Sequence, residues 1–256
     1  MVEVLSGLLL GVLATFIPLY LGLFIPKLYK SNHEAVPVLR AAYCAGILFW
    51  FFIDVINDAS LLDVNQGFGG DYTHVVLALS FAVTLTILFG LERFVSSLSY
   101  HASSSLNEVT YGIAGIVALG VGFHALGEGI SIGAVIPTAS SMVDAIGGVG
   151  PGFAYVLHKL LEGVVLGVFA LLAGVLSSRK LGILGLIAGV PTILGFSVGL
   201  PSVVESTYFF ALGAAGVVYA EFKLVPIIAT RGRRYVVVIG VLLGFYSMYV
   251  AGLFHG

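Results

Sequence analysis

Two stretches of the sequence share the pattern His-x-x-x-Glu-Gly: GFHALGEGISIGA at 122–134 and YVLHKLLEGVVLGVFA at 155–170. Each places a histidine four residues before a glutamate, so on a helix the two side chains lie on one face. If the two faces meet, two imidazoles and two carboxylates converge on one point. Such a set of nitrogen and oxygen ligands suits Zn²⁺, and also Fe²⁺, Mn²⁺, Co²⁺ or Cd²⁺. The four candidate metal ligands are His124, Glu128, His158 and Glu162.

The composition around these motifs is that of a membrane protein. Of the 256 residues, 59% are hydrophobic and only 9% are charged, and the mean hydropathy is +1.10. A soluble domain carries roughly 25% charged residues. The net charge of −2 argues against a nucleic-acid partner, and the single cysteine, Cys44, excludes an internal disulfide and a multi-cysteine metal site.

Eight apolar runs are long enough to cross a bilayer, which takes roughly 20 residues. They lie at about 4–25, 36–57, 74–97, 111–136, 152–176, 181–200, 206–228 and 235–254. The runs use most of the chain and leave short loops. We therefore predict an all-α integral membrane protein with one transmembrane domain, 1–256, in contact with the lipid bilayer.

The basic residues give this bundle an orientation. Ten of the eleven Lys and Arg residues flank the first, third, fifth and seventh loops, whereas the second, fourth and sixth loops contain none. The positive-inside rule assigns the basic loops to the cytoplasm. With eight spans, both termini are then extracytoplasmic. The eleventh basic residue, Lys159, lies in the middle of the fifth span.

Ionisable side chains inside a membrane cost roughly 2.5–3.5 kcal/mol each on insertion scales, so they are functional candidates. The alternative is a polar network in which Glu–His and Glu–Lys pairs satisfy one another and stabilise the bundle. Two copies of the motif on adjacent helices, each followed by glycine, favour a metal site. The glycines, Gly129 and Gly163, would let a neighbouring backbone or a hydrated path approach the carboxylates closely.

His-x-x-x-Glu-Gly on the fourth span and again on the fifth, in an eight-span chain, resembles the ZIP (ZRT/IRT-like) family of divalent-metal transporters. The resemblance covers the topology of the whole chain, but motif-level identity is confined to the two stretches quoted above. It implies that His124, Glu128, His158 and Glu162 form the primary metal site. It also implies transport toward the cytoplasm and a 3+2+3 arrangement, in which spans 1–3 and 6–8 flank spans 4 and 5.

The chain departs from the family pattern at a second metal site that many members have. The corresponding positions are Ala125, Lys159 and Val190, and none can coordinate a metal while the lysine is protonated. We therefore expect one metal ion, with the Lys159 ammonium replacing the charge of the second. A nearby ammonium repels an incoming dication and should weaken binding, which favours release. The proline that precedes the glutamate in the family is also missing from both motifs.

Three further acidic residues are candidates for the transport pathway. Asp54 and Asp58 share a face near the outer end of the second span, where they would attract cations or be ordinary interfacial carboxylates. Glu221 lies near the predicted cytoplasmic end of the seventh span and resembles an exit-side ligand of the family. Its structural alternative is an ion pair with Lys223 or with a cytoplasmic arginine.

The sequence favours a transporter or channel for a divalent transition metal, most simply zinc, over an enzyme. An intramembrane metal-dependent hydrolase is the alternative, although four ligands would saturate a zinc ion that needs an open position for catalysis. A third hypothesis is a protein with a transporter-like fold that no longer transports an ion. The sequence does not determine the preferred metal, the coupling ion, or whether the protein acts as a carrier or a channel. It also leaves open the oligomeric state, which includes a homodimer. The short polar loops suit a prokaryotic inner-membrane protein.

Overall fold

A computed structural model describes residues 2–28, 35–58, 73–98, 109–175, 177–201 and 204–253. Eight helices in these residues are long and apolar enough to cross a membrane, which confirms the predicted number of spans. The first helix, α1, has three consecutive segments: Val2–Leu10, Gly11–Phe16 and Ile17–Leu28. The others are α2 (Ala35–Asp58), α3 (Thr73–Leu98), α4 (Tyr111–Val135), α5 (Val149–Leu172), α6 (Ser178–Gly199), α7 (Thr207–Arg231) and α8 (Arg234–Gly252).

The helix ends differ from the approximate predicted span boundaries by up to four residues. The fifth span was predicted to run to 176, but α5 ends at Leu172. Gly174 follows with φ +69°, and its N–H and that of Val175 bond to the carbonyls of Leu171 and Ala170. This left-handed glycine ends the helix although the sequence stays apolar beyond it.

The first helix also differs from its prediction. It continues past Pro26 to Leu28 instead of ending near residue 25. Its middle segment, Gly11–Phe16, has π-helical hydrogen bonding, which hydropathy cannot reveal. Such segments are rare and often occur at functional sites. This one carries Thr15, whose side chain is fully buried.

Helices α4 and α5, which carry the two motifs, are the most enclosed spans. The share of buried residues is 78% in α4 and 72% in α5, against 17% in α3 and 22% in α8. Helix α4 packs chiefly on α6 and α7, α5 on α1, and α2 on α7 and α8. The paired motifs therefore lie inside the bundle, while α3 and α8 present most of their surface outward.

The glycine after each motif glutamate is a point of close helix contact. A Cβ atom built on Gly129 would lie 2.3 Å from the carbonyl oxygen of Thr192 in α6. One built on Gly163 would clash with the carbonyl oxygen of Leu19 in α1. Of the two roles predicted for these glycines, approach of a neighbouring backbone is the one that the structure shows, and it fixes α4 and α5 against their neighbours.

Candidate metal site

The two motifs converge, which the sequence analysis could only assume. His124 and Glu128 come from α4, and His158 and Glu162 come from α5. One ligand atom from each of the four side chains lies within 4.8 Å of all the others. All four residues are buried, with 1–7% of their surface exposed. We call this group the four-residue centre.

Three of the six distances between ligand atoms in the four-residue centre are close to the edge of a tetrahedral metal site. Nε2 of His124 lies 3.1 Å from Oε1 of Glu128 and 3.6 Å from Oε1 of Glu162. Nε2 of His158 lies 3.1 Å from the same Glu162 oxygen. Metal–ligand bonds of roughly 2.0–2.2 Å at the tetrahedral angle place ligands about 3.4 Å apart. The donor set and these spacings fit a zinc ion.

The buried imidazole of His124 has ring nitrogens that a bound metal could contact. Nδ1 is buried and has no hydrogen-bond partner among the described residues, and Nε2, also buried, faces the carboxylate oxygens of Glu128 and Glu162. A buried polar atom without a partner is costly, and a metal bond to Nε2 would remove part of that cost.

Phe51 of α2 helps to hold both imidazoles in place. Its ring meets His124 edge-on with centroids 4.5 Å apart, and meets His158 edge-on at 5.2 Å. The two imidazole planes are 11° from parallel with centroids 5.9 Å apart. A single apolar ring from outside α4 and α5 thus orients both nitrogen ligands.

Lys159 lies against the two carboxylates, as predicted. Its Nζ donates to Glu162 Oε1 at 2.8 Å and to Oε2 at 2.9 Å, and it also contacts Oε2 of Glu128. The side chain is completely buried, and Nζ lies 5.8 Å from the centre of the Tyr155 ring. One ammonium therefore bridges both carboxylates of the four-residue centre.

A cavity of about 170 Å³ reaches this centre. Its walls include His124 and Glu128 from the centre together with Asp54, Ser131, Ile132, Tyr155 and Phe210. We call it the inner cavity. Asp54, predicted as a pathway residue, therefore lines the same space as two of the candidate ligands.

The other two pathway candidates do not join the four-residue centre. Asp58 is the last residue of α2, and its side chain lies outside the part of the chain that the structure describes. Glu221 is partly buried, and its Oε1 has no hydrogen-bond partner among the described residues. Its predicted alternative, an ion pair with Lys223, is not formed. The Lys223 ammonium instead lies 2.6–2.7 Å from the carboxylate oxygens of Glu92.

Sequence reasoning missed Phe51 and Tyr155 beside the four-residue centre, and the ion pair of Glu92 with Lys223 elsewhere in the bundle. Phe51 is one of several aromatic residues in its helix and carries no distinguishing signal. Tyr155, whose hydroxyl lies 3.0 Å from that of Thr15, is three residues before His158. Its helical spacing places it on the ligand face, so that signal was available. Glu92 stands beside Arg93 in the sequence, and only the folded bundle shows that it pairs with Lys223.

The chain was also compared with known proteins. No protein-family model and no curated protein matches it. The resemblance to the ZIP family therefore depends on the paired motifs and the eight apolar spans.

Proposed function

We propose that this protein transports divalent transition-metal ions, with zinc as the preferred test substrate, across the membrane through the four-residue centre. The observation that carries the proposal is the convergence of two imidazole nitrogens and two carboxylates, all buried, between the two most enclosed helices. A binding site enclosed within a bundle of apolar helices is the arrangement that transport requires. The resemblance of both motifs to the ZIP family supports the same function.

The charges of the site suit an ion that must leave as well as bind. Two carboxylates and one ammonium give a net charge of −1 when the imidazoles are neutral, and a bound dication changes it to +1. Neither state contains a large uncompensated charge, because Lys159 has already neutralised one carboxylate. Conduction needs binding that is favourable but reversible. We propose that Lys159 takes the place of a second metal ion and that the site holds one.

The positive-inside rule supports an orientation for the bundle. It assigns the loop between α4 and α5, which contains no Lys or Arg, to the extracytoplasmic side. From the resemblance to the ZIP family we propose that metal moves from that side toward the cytoplasm, and from the short loops that the protein resides in a prokaryotic inner membrane. Asp54 and Glu221 are proposed to attract ions at entry and at exit.

Zinc uptake into liposomes that contain only this protein tests the proposal. We expect saturable uptake of radiolabelled zinc that cadmium competes and that Glu128→Gln abolishes. Glu92→Gln is the matched control, since it removes another partly buried carboxylate in an ion pair away from the four-residue centre. Uptake by Glu128→Gln at the wild-type rate would refute the proposal.

The same experiment separates transport from the hydrolase alternative. A hydrolase would bind zinc through the same residues but would accumulate none inside liposomes. If zinc binding is lost in Glu128→Gln and the folded wild-type protein takes up no zinc, the metalloenzyme would be favoured over the transporter.

A further inference from the structure

A second cavity adjoins the inner cavity at the end of the bundle where α4 leads into α5. It has a volume of about 210 Å³ and is lined in part by Ala145, Ile146 and Pro151. It shares Ser131, Ile132 and Tyr155 with the inner cavity. We call it the outer cavity. The shared residues form the wall between the outer cavity and the space that reaches His124 and Glu128.

Helical spacing places two of these shared residues directly beside the candidate ligands. Ser131 follows Glu128 by three residues on α4, and Tyr155 precedes His158 by three residues on α5. Residues three apart on a helix lie on one face. Ser131 and Tyr155 therefore lie one turn away from the four-residue centre, both on the side of the segment that connects α4 and α5.

Exposure falls along α4 toward the four-residue centre: Ser131 is exposed and Glu128 is 7% exposed. On α5, Tyr155 and Lys159 are both buried, at 2% and 0%. The inner cavity has room for about six water molecules at roughly 30 Å³ each. That space is large enough for an ion that keeps part of its hydration shell.

We propose that metal ions reach the four-residue centre past Ser131 and Tyr155, through the two cavities. The inference rests on the proposed function, because it names the route by which a metal would arrive at that site. The hydroxyl groups of Ser131 and Tyr155 replace water molecules on the ion before the stronger ligands, Glu128 and His124, bind it. Tyr155 is fixed at this position by its hydrogen bond to Thr15 in the π-helical segment of α1.

Cysteine accessibility tests the route, and the chain is well suited to it. Cys44, the only cysteine, is fully buried, so Cys44→Ala gives a thiol-free background. Ser131→Cys is added to this background, and the protein in liposomes is treated with a membrane-impermeant cationic methanethiosulfonate. Ser80→Cys is the matched control, because Ser80 lies on α3, the least enclosed span, and has no contact with either cavity in the described structure.

A thiol in an aqueous route forms the reactive thiolate, whereas one facing lipid does not. We expect Ser131→Cys to react at least about tenfold faster than Ser80→Cys, and zinc to slow its modification. The zinc protection should disappear when Glu162→Gln is added, which separates binding at the four-residue centre from zinc bound directly to the new thiol.

Two results would overturn the route. Modification of Ser131→Cys as slow as that of Ser80→Cys would show that no water reaches this position; if zinc uptake persisted, the proposed function would stand without this route. Rapid modification that leaves zinc uptake into the liposomes unchanged would show that metal does not pass Ser131. If Ser131→Cys does not fold, Asp54→Cys, which lines the inner cavity, replaces it with the same expectations.

Discussion

Replacing Lys159 by methionine should destabilise the empty protein and increase its response to zinc. The change keeps an unbranched side chain one atom shorter than lysine and removes the ammonium that contacts both Glu128 and Glu162. Two buried carboxylates then lose their partner, and a broken buried ion pair costs about 3–5 kcal/mol. For a chain of this size, 1 kcal/mol shifts the unfolding midpoint by roughly 2–4 °C. The expected loss in Tm without metal is therefore about 6–20 °C.

Zinc should reverse this loss, since a dication supplies the positive charge that the carboxylates lack. Zinc should also bind more tightly than it does to the wild type, because the nearby ammonium no longer repels it. Two unit charges 4 Å apart interact by about 4 kcal/mol near a protein surface, so even partial relief is worth tenfold or more in affinity. Thermal unfolding of the purified protein in detergent, with and without zinc, measures both effects.

Lys223→Met is the matched control for this prediction. Lys223 pairs with Glu92, and both side chains are 13–14% exposed, so the substitution also breaks a partly buried ion pair. It should lower Tm equally with and without zinc. The account of Lys159 is wrong if Lys159→Met is as stable as the wild type without metal. It is also wrong if zinc raises the Tm of Lys159→Met no more than that of the wild type.

Two further predictions concern residues that position the site. Gly213→Ala places a Cβ atom 2.6 Å from Cβ of His124, so it should cost about 1–3 kcal/mol of stability by overpacking and weaken zinc binding. Gly182→Ala meets nothing nearer than 3.7 Å and should leave zinc binding unchanged; equal affinities for the two variants would contradict this role of Gly213. Tyr155→Phe and Thr15→Val each remove the same buried hydrogen bond, so each should slow zinc uptake severalfold. The double variant should be no slower than Tyr155→Phe, whereas additive losses would refute the shared contact.

The large features of the fold are predictable because they depend on local sequence. Crossing a membrane needs a long apolar run, and each of the eight runs became a helix. The i, i+4 spacing within each motif places His124 with Glu128, and His158 with Glu162, whatever the rest of the bundle does. Only the meeting of the two faces had to be assumed.

The features that the sequence did not reveal depend on contacts between distant parts of the chain. Phe51 touches both imidazoles from another helix, and no local pattern marks it among its aromatic neighbours. The ion pair of Glu92 with Lys223 joins residues 131 positions apart. The same contact explains why Glu221, only two residues before Lys223, is not its partner.

Anomalous X-ray scattering at the zinc absorption edge, from crystals grown with zinc, tests the central claim most directly. The account predicts a single anomalous peak per chain within bonding distance of Nε2 of His124 and His158 and of a carboxylate oxygen of Glu128 and Glu162. No second peak should lie beside Lys159. A fully folded protein without a peak at the four-residue centre, or with its strongest zinc peak elsewhere in the bundle, would contradict the account.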